Sequence, residues 1–116
     1  MMHKLLEEVK ELIEREYGRA SAIHGLTHTS DHQSYAVLLE EFEEAKEEVN
    51  LCQSCIEKFW ELVKSDSPDY QKMNDLRLVY SKALFGACEL IQVAAMAKKA
   101  SITICDRGAI EEFKGE

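Results

Sequence analysis

Apolar residues recur every three or four positions along three separate segments of this chain. In the first segment they extend from Leu5 to Ile23, and in the second from Tyr35 to Val63. The third begins at Tyr70 and continues through an alanine-rich stretch. This spacing is typical of amphipathic α-helices, because successive residues of a helix are rotated by about 100°. The pattern therefore predicts three helices and an all-α fold.

Capping residues indicate the limits of the first two helices. Gly25 is a suitable C-terminal stop for a first helix over residues 2–23, since glycine readily accepts the left-handed conformation found at helix ends. Ser30 and Gln33 have the spacing of a capping box. Together with the apolar spacing, this capping box predicts a second helix over residues 31–64.

The third helix is predicted to begin at a serine–proline pair. Ser67 is a favourable N-cap and Pro68 is a favourable first helical residue. A turn near residues 66–67 would fold the second and third helices into a long antiparallel hairpin. We therefore expect one all-α domain over residues 1–100, followed by a short irregular or strand-like tail over residues 101–116.

The two long helices leave more apolar surface than the first helix can cover. Each would contain about 33 residues and extend about 50 Å. A single shorter helix covers only part of such a hairpin. The remaining apolar surface predicts self-association, most simply as a homodimer with a four-helix core and otherwise as a tetramer.

The amino-acid composition argues against several classes of protein. The chain has 116 residues, with one proline, five glycines and a net charge of −8. It lacks the basic pattern of proteins that bind nucleic acid polymers. The N-terminus has no apolar stretch typical of a secretory signal, and no apolar run approaches the roughly 20 residues of a membrane span. We expect a cytoplasmic protein that binds neither nucleic acid polymers nor membranes.

The four cysteines are predicted to be reduced thiols. They are Cys52, Cys55, Cys88 and Cys105. Disulfides are rare inside cells. Cys52 and Cys55 have the spacing of half a zinc site, but the chain has no second pair of cysteines or histidines to complete it. For this pair we expect thiols packed in the helical core and no zinc.

Candidate chemistry lies where polar residues of the two long helices face each other. In the predicted hairpin, residues whose numbers add to about 133 are neighbours. Glu44 then faces Glu89, and Glu41 faces Gln92. Residues three apart lie on one face of a helix. Three carboxylates and one carboxamide would therefore converge, which predicts a site for a hard divalent cation.

Two interpretations of Glu89 are open. Glutamates on a helix commonly form a solvated face, but Glu89 lies among apolar, small and cysteine residues. A buried carboxylate destabilises a fold unless a cation neutralises it. That cation would be either a metal ion or the ammonium of Lys46, which the hairpin register also places near Glu89.

Two motifs carry a resemblance to a known family. Glu41-x-x-Glu44 followed by Glu89-x-x-Gln92 is similar to the EExxE…ExxD signature of the all-α nucleoside triphosphate pyrophosphohydrolases, the MazG-like superfamily. The sequence around both motifs resembles a phage and bacterial branch of that superfamily still more closely. The match covers about residues 28–100.

The resemblance implies a helical bundle, an activity and a set of site residues. In this superfamily acidic groups hold Mg²⁺ while water attacks the α–β phosphate linkage of a nucleoside triphosphate, which releases the monophosphate and pyrophosphate. By position, the ligands of Mg²⁺ or Mn²⁺ would be Glu41, Glu44, Glu89 and Gln92. The catalytic acidic residues would be Glu40, Glu41 and Glu44.

The chain departs from the signature at Gln92, where the family has aspartate. A carboxamide oxygen can bind Mg²⁺ but adds no negative charge, so the resemblance implies a weaker site. Two functions follow as hypotheses. One is a Mg²⁺-dependent nucleotide pyrophosphohydrolase, and the other is a non-catalytic helical protein that uses the same scaffold for binding or assembly.

Three further residues are candidates for contacts with a nucleotide, namely His28, His32 and Lys98. The histidines lack the Glu-x-x-His pattern of di-iron bundles. Their positions favour capping of the helix and packing in the loop over a contact with a nucleotide. Lys98 and the adjacent Lys99 suit the C-terminal end of a helix, and their ammonium groups are candidates for phosphate contacts or simple surface charges.

Overall fold

The computed structural model describes residues 2–107, which form three α-helices. They are α1 (Met2–His24), α2 (Asp31–Lys64) and α3 (Asp69–Asp106), and the described residues contain no strand. The predicted all-α class is confirmed. The predicted limits of α2 agree with the structure, and α1 ends one residue later than predicted.

The helices contribute to two compact units. The first unit contains α1, the part of α2 up to Phe42 and the part of α3 from Leu90 onwards. The second unit is the segment Glu43–Glu89, in which the end of α2 and the start of α3 form a hairpin. The first unit therefore combines distant parts of the sequence, whereas the second is one continuous segment.

In the first unit, capping interactions end α1 and begin α2 at the predicted residues. Gly25 has a φ of 91°, and its N–H donates to the carbonyl of Ser21 at 2.8 Å. Glycine adopts this conformation without steric cost. The Ser30 hydroxyl accepts a hydrogen bond from the N–H of Gln33 at 3.1 Å, as in a capping box. The Gln33 side chain reaches back to the N–H of Thr29, one residue beyond the usual partner.

In the second unit, α2 ends in a turn that places Asp66 in the left-handed region. Asp66 has a φ of 53°. Its N–H donates to the carbonyl of Val63 at 3.1 Å, and the N–H of Ser67 donates to the carbonyl of Leu62 at 3.0 Å. These two bonds form a Schellman motif, in which glycine is the favoured left-handed residue. The predicted turn is therefore confirmed.

Replacing Asp66 by glycine is expected to stabilise the second unit, because glycine adopts a positive φ without the steric cost carried by other residues. We expect a gain of about 0.5–1 kcal/mol in the free energy of unfolding, measured by urea denaturation. The control is Ser65→Gly, since Ser65 lies in the same turn with a negative φ. An unchanged or lower stability of Asp66→Gly would contradict this account of the turn.

The helix α3 begins one residue later than predicted. The carbonyl of Pro68 accepts hydrogen bonds from the N–H groups of Gln71 and Lys72 at 3.1 and 3.3 Å, so Pro68 is the N-cap and not the first helical residue. The Ser67 hydroxyl lies 2.8 Å from the hydroxyl of Ser65. Ser67 thus belongs to the turn, because its N–H and its hydroxyl both bond to residues at the end of α2.

The helix α3 also ends later than predicted, so the irregular tail expected from position 101 is wrong as far as Asp106. The β-branched residues in this stretch favour a strand by propensity alone. The hydroxyl of Thr103 accepts a hydrogen bond from the N–H of His28 at 2.9 Å and donates to the carbonyl one turn earlier at 2.8 Å. This long-range contact stabilises the helical conformation. The remainder of the predicted tail, residues 108–116, lies outside the described residues.

The hairpin register of the second unit agrees with the prediction. A Cβ atom at Gly86 would lie 3.7 Å from the Cβ atom of Glu48. The thiol of Cys52 donates to the carbonyl of Val79 at 3.8 Å. The numbers in both pairs add to within a few units of the predicted total of about 133. The antiparallel register within this unit is therefore confirmed.

The four cysteines are thiols, as predicted. No disulfide joins them, and all four lie in the described part of the chain. Cys52 and Cys55 are half-buried in the second unit, which agrees with the expected packing between helices. Cys88 is exposed.

Large apolar side chains of the second unit are mostly exposed. Its buried apolar residue is Ala45, which is 1% exposed. The exposed large apolar residues of the unit are Val49, Leu51, Ile56, Trp60, Val63, Tyr70, Met73, Leu76, Leu78, Tyr80, Leu84 and Phe85. Two helices share a single seam, so most apolar positions on a two-helix hairpin face outward. This exposed surface is the basis for predicting self-association.

The helix α3 is also long and apolar enough to cross a membrane when only its length and composition are considered. An 18-residue window has a mean hydropathy of 1.3, and 11% of that window is buried. The sequence prediction counted uninterrupted apolar runs, whereas this window admits charged residues. One such helix is weak support for a membrane location, because core helices pass the same test.

Candidate functional site

The hairpin of the second unit brings the carboxylates of Glu44 and Glu89 together. Oxygen atoms of the two groups lie within 4.8 Å of each other. Glu89 is half-buried and Glu44 is exposed. Burial raises the pKa of Glu89, and the charge of Glu44, the hydrogen bond that a protonated Glu89 would donate to Glu44 and the charge of Glu48 raise it further. This part of the hairpin therefore carries more negative charge than its surroundings neutralise.

The ion pair considered between Lys46 and Glu89 is not formed in residues 2–107, where Lys46 is exposed. The ammonium of Lys82 instead lies 3.7 Å from the carboxylate of Glu48. That distance is longer than a hydrogen bond, and the same Glu48 oxygen is buried with no hydrogen-bond partner among the described residues. The lysines of the hairpin therefore leave the Glu44–Glu89 pair uncompensated.

The remaining acidic candidates lie earlier on α2. Glu41 is half-buried and precedes Glu44 by one helical turn. Glu40 is exposed. Successive helical residues point about 100° apart, so Glu40 and Glu41 do not share a face.

The first unit contains a cavity of about 500 Å³, a volume typical of small-molecule sites. It lies between α1, the loop after α1 and the parts of α2 and α3 in this unit. Its lining residues are Glu16, Arg19, Ala20, Ile23, His24, Thr27, His28, Thr29, Gln33, Val37, Glu41, Gln92, Met96 and Lys99. Three predicted site residues, Glu41, Gln92 and His28, thus share one cavity. Glu40, His32 and Lys98 are not among its lining residues.

One part of this cavity is a hydrogen-bonded cluster of Glu16, Arg19 and Gln92. The guanidinium of Arg19 donates to the Glu16 carboxylate, with bonds of 2.8 and 3.1 Å to one oxygen. The amide of Gln92 also hydrogen-bonds to Glu16. The bonds from Arg19 and then from Gln92 lower the pKa of Glu16. Gln92, predicted as a metal ligand, therefore has a carboxylate partner on α1 that the sequence analysis did not identify.

Another part of the cavity contains the buried side chain of His28. Its ring nitrogen Nδ1 lies 2.7 Å from the hydroxyl of Ser34, which is also buried. Burial lowers the pKa of His28, and the charge of Lys99 lowers it further. His28 therefore presents a neutral imidazole to the cavity at neutral pH, suited to hydrogen bonding and not to charge pairing.

Acidification is expected to destabilise the first unit through His28. Its pKa in the folded chain is below the ordinary 6.5, so the unfolded chain binds this proton more readily. The stability contributed by neutral His28 is present above about pH 6.5 and is lost as the pH falls through the folded-state pKa. Melting temperatures between about pH 7.5 and 5 should fall less steeply in His28→Gln than in wild type.

The matched control for this prediction is His32→Gln. His32 is exposed on the first turn of α2 and lies outside the cavity. Its substitution should leave the pH dependence of the melting temperature as in wild type. Equal pH dependence in His28→Gln and wild type would show that protonation of His28 does not destabilise the fold.

The two adjacent lysines of α3 have different surroundings in the structure. The ammonium of Lys98 pairs with the carboxylate of Glu14 and lies 5.1 Å from the centre of the Tyr17 ring. Lys99 is 5% exposed and lines the cavity. Of the two lysines, only Lys99 lines this cavity, and the nucleotide contact expected of Lys98 stays a prediction. Helix periodicity alone does not indicate which of the two lysines lines the cavity, because that depends on where α1 packs.

No family model, curated protein or solved structure matches this chain. The resemblance to the MazG-like superfamily therefore rests on the two motifs and their surrounding residues. Within the second unit the geometry adds the Glu44–Glu89 pair, and within the first it adds the mixed acidic and basic cavity. These two features are the geometry on which the function proposed next is based.

Proposed function

We propose that this protein is a Mg²⁺-dependent nucleoside triphosphate pyrophosphohydrolase. It would convert a nucleoside triphosphate and water into the monophosphate and pyrophosphate. The observation that carries the proposal is the close approach of Glu44 and Glu89 with the raised pKa of Glu89. Two carboxylates held together without a lysine partner are stabilised when a divalent cation binds between them.

The residues fit Mg²⁺ because its preferred ligands are oxygen atoms, especially those of carboxylates. In this proposal Glu44 and Glu89 hold the ion, and Glu41, one turn before Glu44, is a third ligand. Mn²⁺ has the same preference for oxygen and is expected to substitute. A bound ion of this kind neutralises phosphate charge and activates or orients water. Glu40, although exposed, remains a candidate for a catalytic acidic residue.

A non-catalytic binding or assembly protein is the second candidate function. The specific observation in its favour is Gln92, whose amide is bound to Glu16 and which adds no negative charge to a metal site. A site with three carboxylates binds Mg²⁺ more weakly than a site with four, since each carboxylate adds Coulombic attraction. Hydrolysis by this protein is therefore expected to be weaker than that of a protein with aspartate at this position.

Self-association is part of the proposal, because the second unit exposes its large apolar side chains. We expect a homodimer or tetramer in light scattering at micromolar concentration. Ile56→Glu should dissociate it, since Ile56 is 53% exposed and a charge at an apolar interface is destabilising. Glu57→Gln, at the neighbouring exposed position, should leave the mass unchanged. A monomeric wild-type protein would refute the predicted self-association.

The proposed activity is tested by measuring pyrophosphate release from a panel of canonical and modified nucleoside triphosphates. Release should require Mg²⁺ or Mn²⁺, stop on chelation and yield one monophosphate per pyrophosphate. Glu44→Gln should lose activity, whereas Glu47→Gln, at an exposed position on the same helix, should retain it. The absence of release from every nucleotide would favour the non-catalytic alternative.

A further inference from the structure

The side-chain amide of Gln92 carries two groups of opposite character. Its carbonyl oxygen accepts hydrogen bonds or binds a cation, whereas its amino group only donates hydrogen bonds. Rotation of the amide by half a turn exchanges the two groups without changing the shape of the side chain. Gln92 lines the cavity of the first unit together with Glu16. The group that Gln92 offers to a ligand there depends on the partner that holds the amide.

The carboxylate of Glu16 holds this amide in one of the two orientations. Arg19 donates to one oxygen of Glu16 at 2.8 and 3.1 Å, which favours the ionised carboxylate. An ionised carboxylate only accepts hydrogen bonds, so its bond with Gln92 uses the amino group of the amide. The carbonyl oxygen of Gln92 then points away from Glu16, because the two groups lie on opposite sides of the planar amide.

We infer that Glu16 is a positioning residue that turns the carbonyl oxygen of Gln92 toward the cavity as a neutral ligand of a divalent cation. The choice of a divalent cation rests on the proposed function. Carboxamide oxygens are suitable ligands of hard cations, and outer residues that orient a ligand contribute to metal affinity. The same bond accounts for the departure from aspartate at this position. An aspartate would place a second negative charge beside Glu16 and would donate no hydrogen bond to it.

Two isosteric substitutions test this inference, with Mg²⁺ calorimetry and metal-free melting temperatures as readouts. Glu16→Gln should weaken Mg²⁺ binding by about tenfold, because a glutamine partner accepts and donates and no longer fixes the amide. Gln92→Glu should lower the metal-free melting temperature by about 5 °C or more, since two carboxylates then face each other. The double variant restores the bond in reverse. Its melting temperature and Mg²⁺ affinity should return at least to the wild-type values.

Glu11→Gln is the matched control for Glu16→Gln, because Glu11 is an exposed glutamate on α1 outside the cavity lining. Alone, it should leave the Mg²⁺ affinity within about twofold of wild type. Combined with Gln92→Glu, it should not restore the melting temperature. Equal restoration by Glu11→Gln and by Glu16→Gln would show that removing any negative charge from α1 is sufficient, and would overturn the role of Glu16.

The outcomes separate this inference from the proposed enzymatic function. Mg²⁺ affinity that falls in Glu16→Gln and recovers in the double variant, in a protein that hydrolyses no nucleotide, would support the inference and refute the proposed function. Hydrolysis with equal Mg²⁺ affinity in Glu16→Gln and Glu11→Gln would overturn the inference alone. A double variant whose Mg²⁺ affinity stays low would also overturn it, as would the absence of Mg²⁺ binding by wild type.

Discussion

Glu89→Gln is expected to abolish metal-dependent pyrophosphate release while raising the melting temperature of the metal-free protein. Activity should fall by about 100-fold or more, since even residues that only support metal ligands contribute about 10- to 100-fold. The stability gain arises because Glu89 is half-buried beside the charges of Glu44 and Glu48. Glutamine keeps the shape of the side chain and removes that repulsion.

The stability gained in Glu89→Gln is expected to increase with pH. The pKa of Glu89 in the folded protein is above its ordinary 4.5, so the folded chain holds this proton more tightly than the unfolded chain. The stability contributed by protonated Glu89 is present below about pH 4.5 and is lost as the pH rises through the folded-state pKa. The melting temperature of Glu89→Gln should therefore exceed that of wild type by a margin that grows toward neutral pH.

Mg²⁺ should reverse the order of the two melting temperatures, or at least reduce the difference. Ligands that bind only the folded state raise its stability, and the wild-type protein alone would have the full carboxylate pair. Glu47→Gln is the control, because Glu47 is an exposed glutamate on α2. It should behave as wild type with and without metal. A lower metal-free melting temperature for Glu89→Gln would indicate that Glu89 stabilises the fold through a favourable contact.

Asp75→Leu is expected to raise the free energy of unfolding by about 1–3 kcal/mol, measured by urea denaturation. Asp75 lies on α3 in the second unit and is 3% exposed. Both of its carboxylate oxygens are buried without a hydrogen-bond partner among the described residues. Lys72, one turn earlier, has its ammonium 3.9 Å from Asp69. The apolar variant would remove a desolvated carboxylate and add a residue that favours helix.

Asn74→Leu is the matched control for Asp75→Leu, because Asn74 is the exposed neighbour on the same helix. Asn74→Leu adds a similar apolar volume without removing a buried carboxylate. Its free energy of unfolding should therefore stay within about 0.5 kcal/mol of the wild-type value. Destabilisation by Asp75→Leu would instead indicate that Asp75 has a partner in the associated protein. In that case light scattering should show a smaller mass for the variant than for wild type.

Local capping patterns were sufficient to predict most helix limits. Gly25 ends α1 because its N–H bonds back to Ser21 in a left-handed turn, and Ser30 begins α2 through its bond to Gln33. These interactions join residues three or four apart, so they are visible in the sequence itself. The all-α class follows from the same local patterns and from the apolar spacing.

Features that depend on long-range contacts outside the hairpin were not predicted. The extension of α3 to Asp106 accompanies the bond between Thr103 and the N–H of His28, whose positions are 75 residues apart. The partner of Gln92 is Glu16 on α1, and no pattern within either helix indicates that contact. Lys99 lines the cavity and Lys98 does not. This difference was also not predicted, because it depends on the packing of α1.

The candidate site was predictable where it lies within the hairpin. A turn near residues 66–67 and an antiparallel register place Glu44 opposite Glu89, and the structure has this pair in contact. The sequence did not indicate which lysine of the hairpin pairs with which glutamate. In the structure Lys46 is exposed, and Lys82 pairs with Glu48. Side-chain choices of this kind depend on solvent exposure and rotamers, which residue spacing does not determine.

The central claim is that Glu44 and Glu89 bind a divalent cation, and calorimetric titration with Mg²⁺ tests it most directly. The account predicts saturable binding by the wild-type protein and by Glu47→Gln, and loss of that binding in Glu89→Gln. Identical heats in all three proteins, or the absence of saturable binding by wild type, would contradict it.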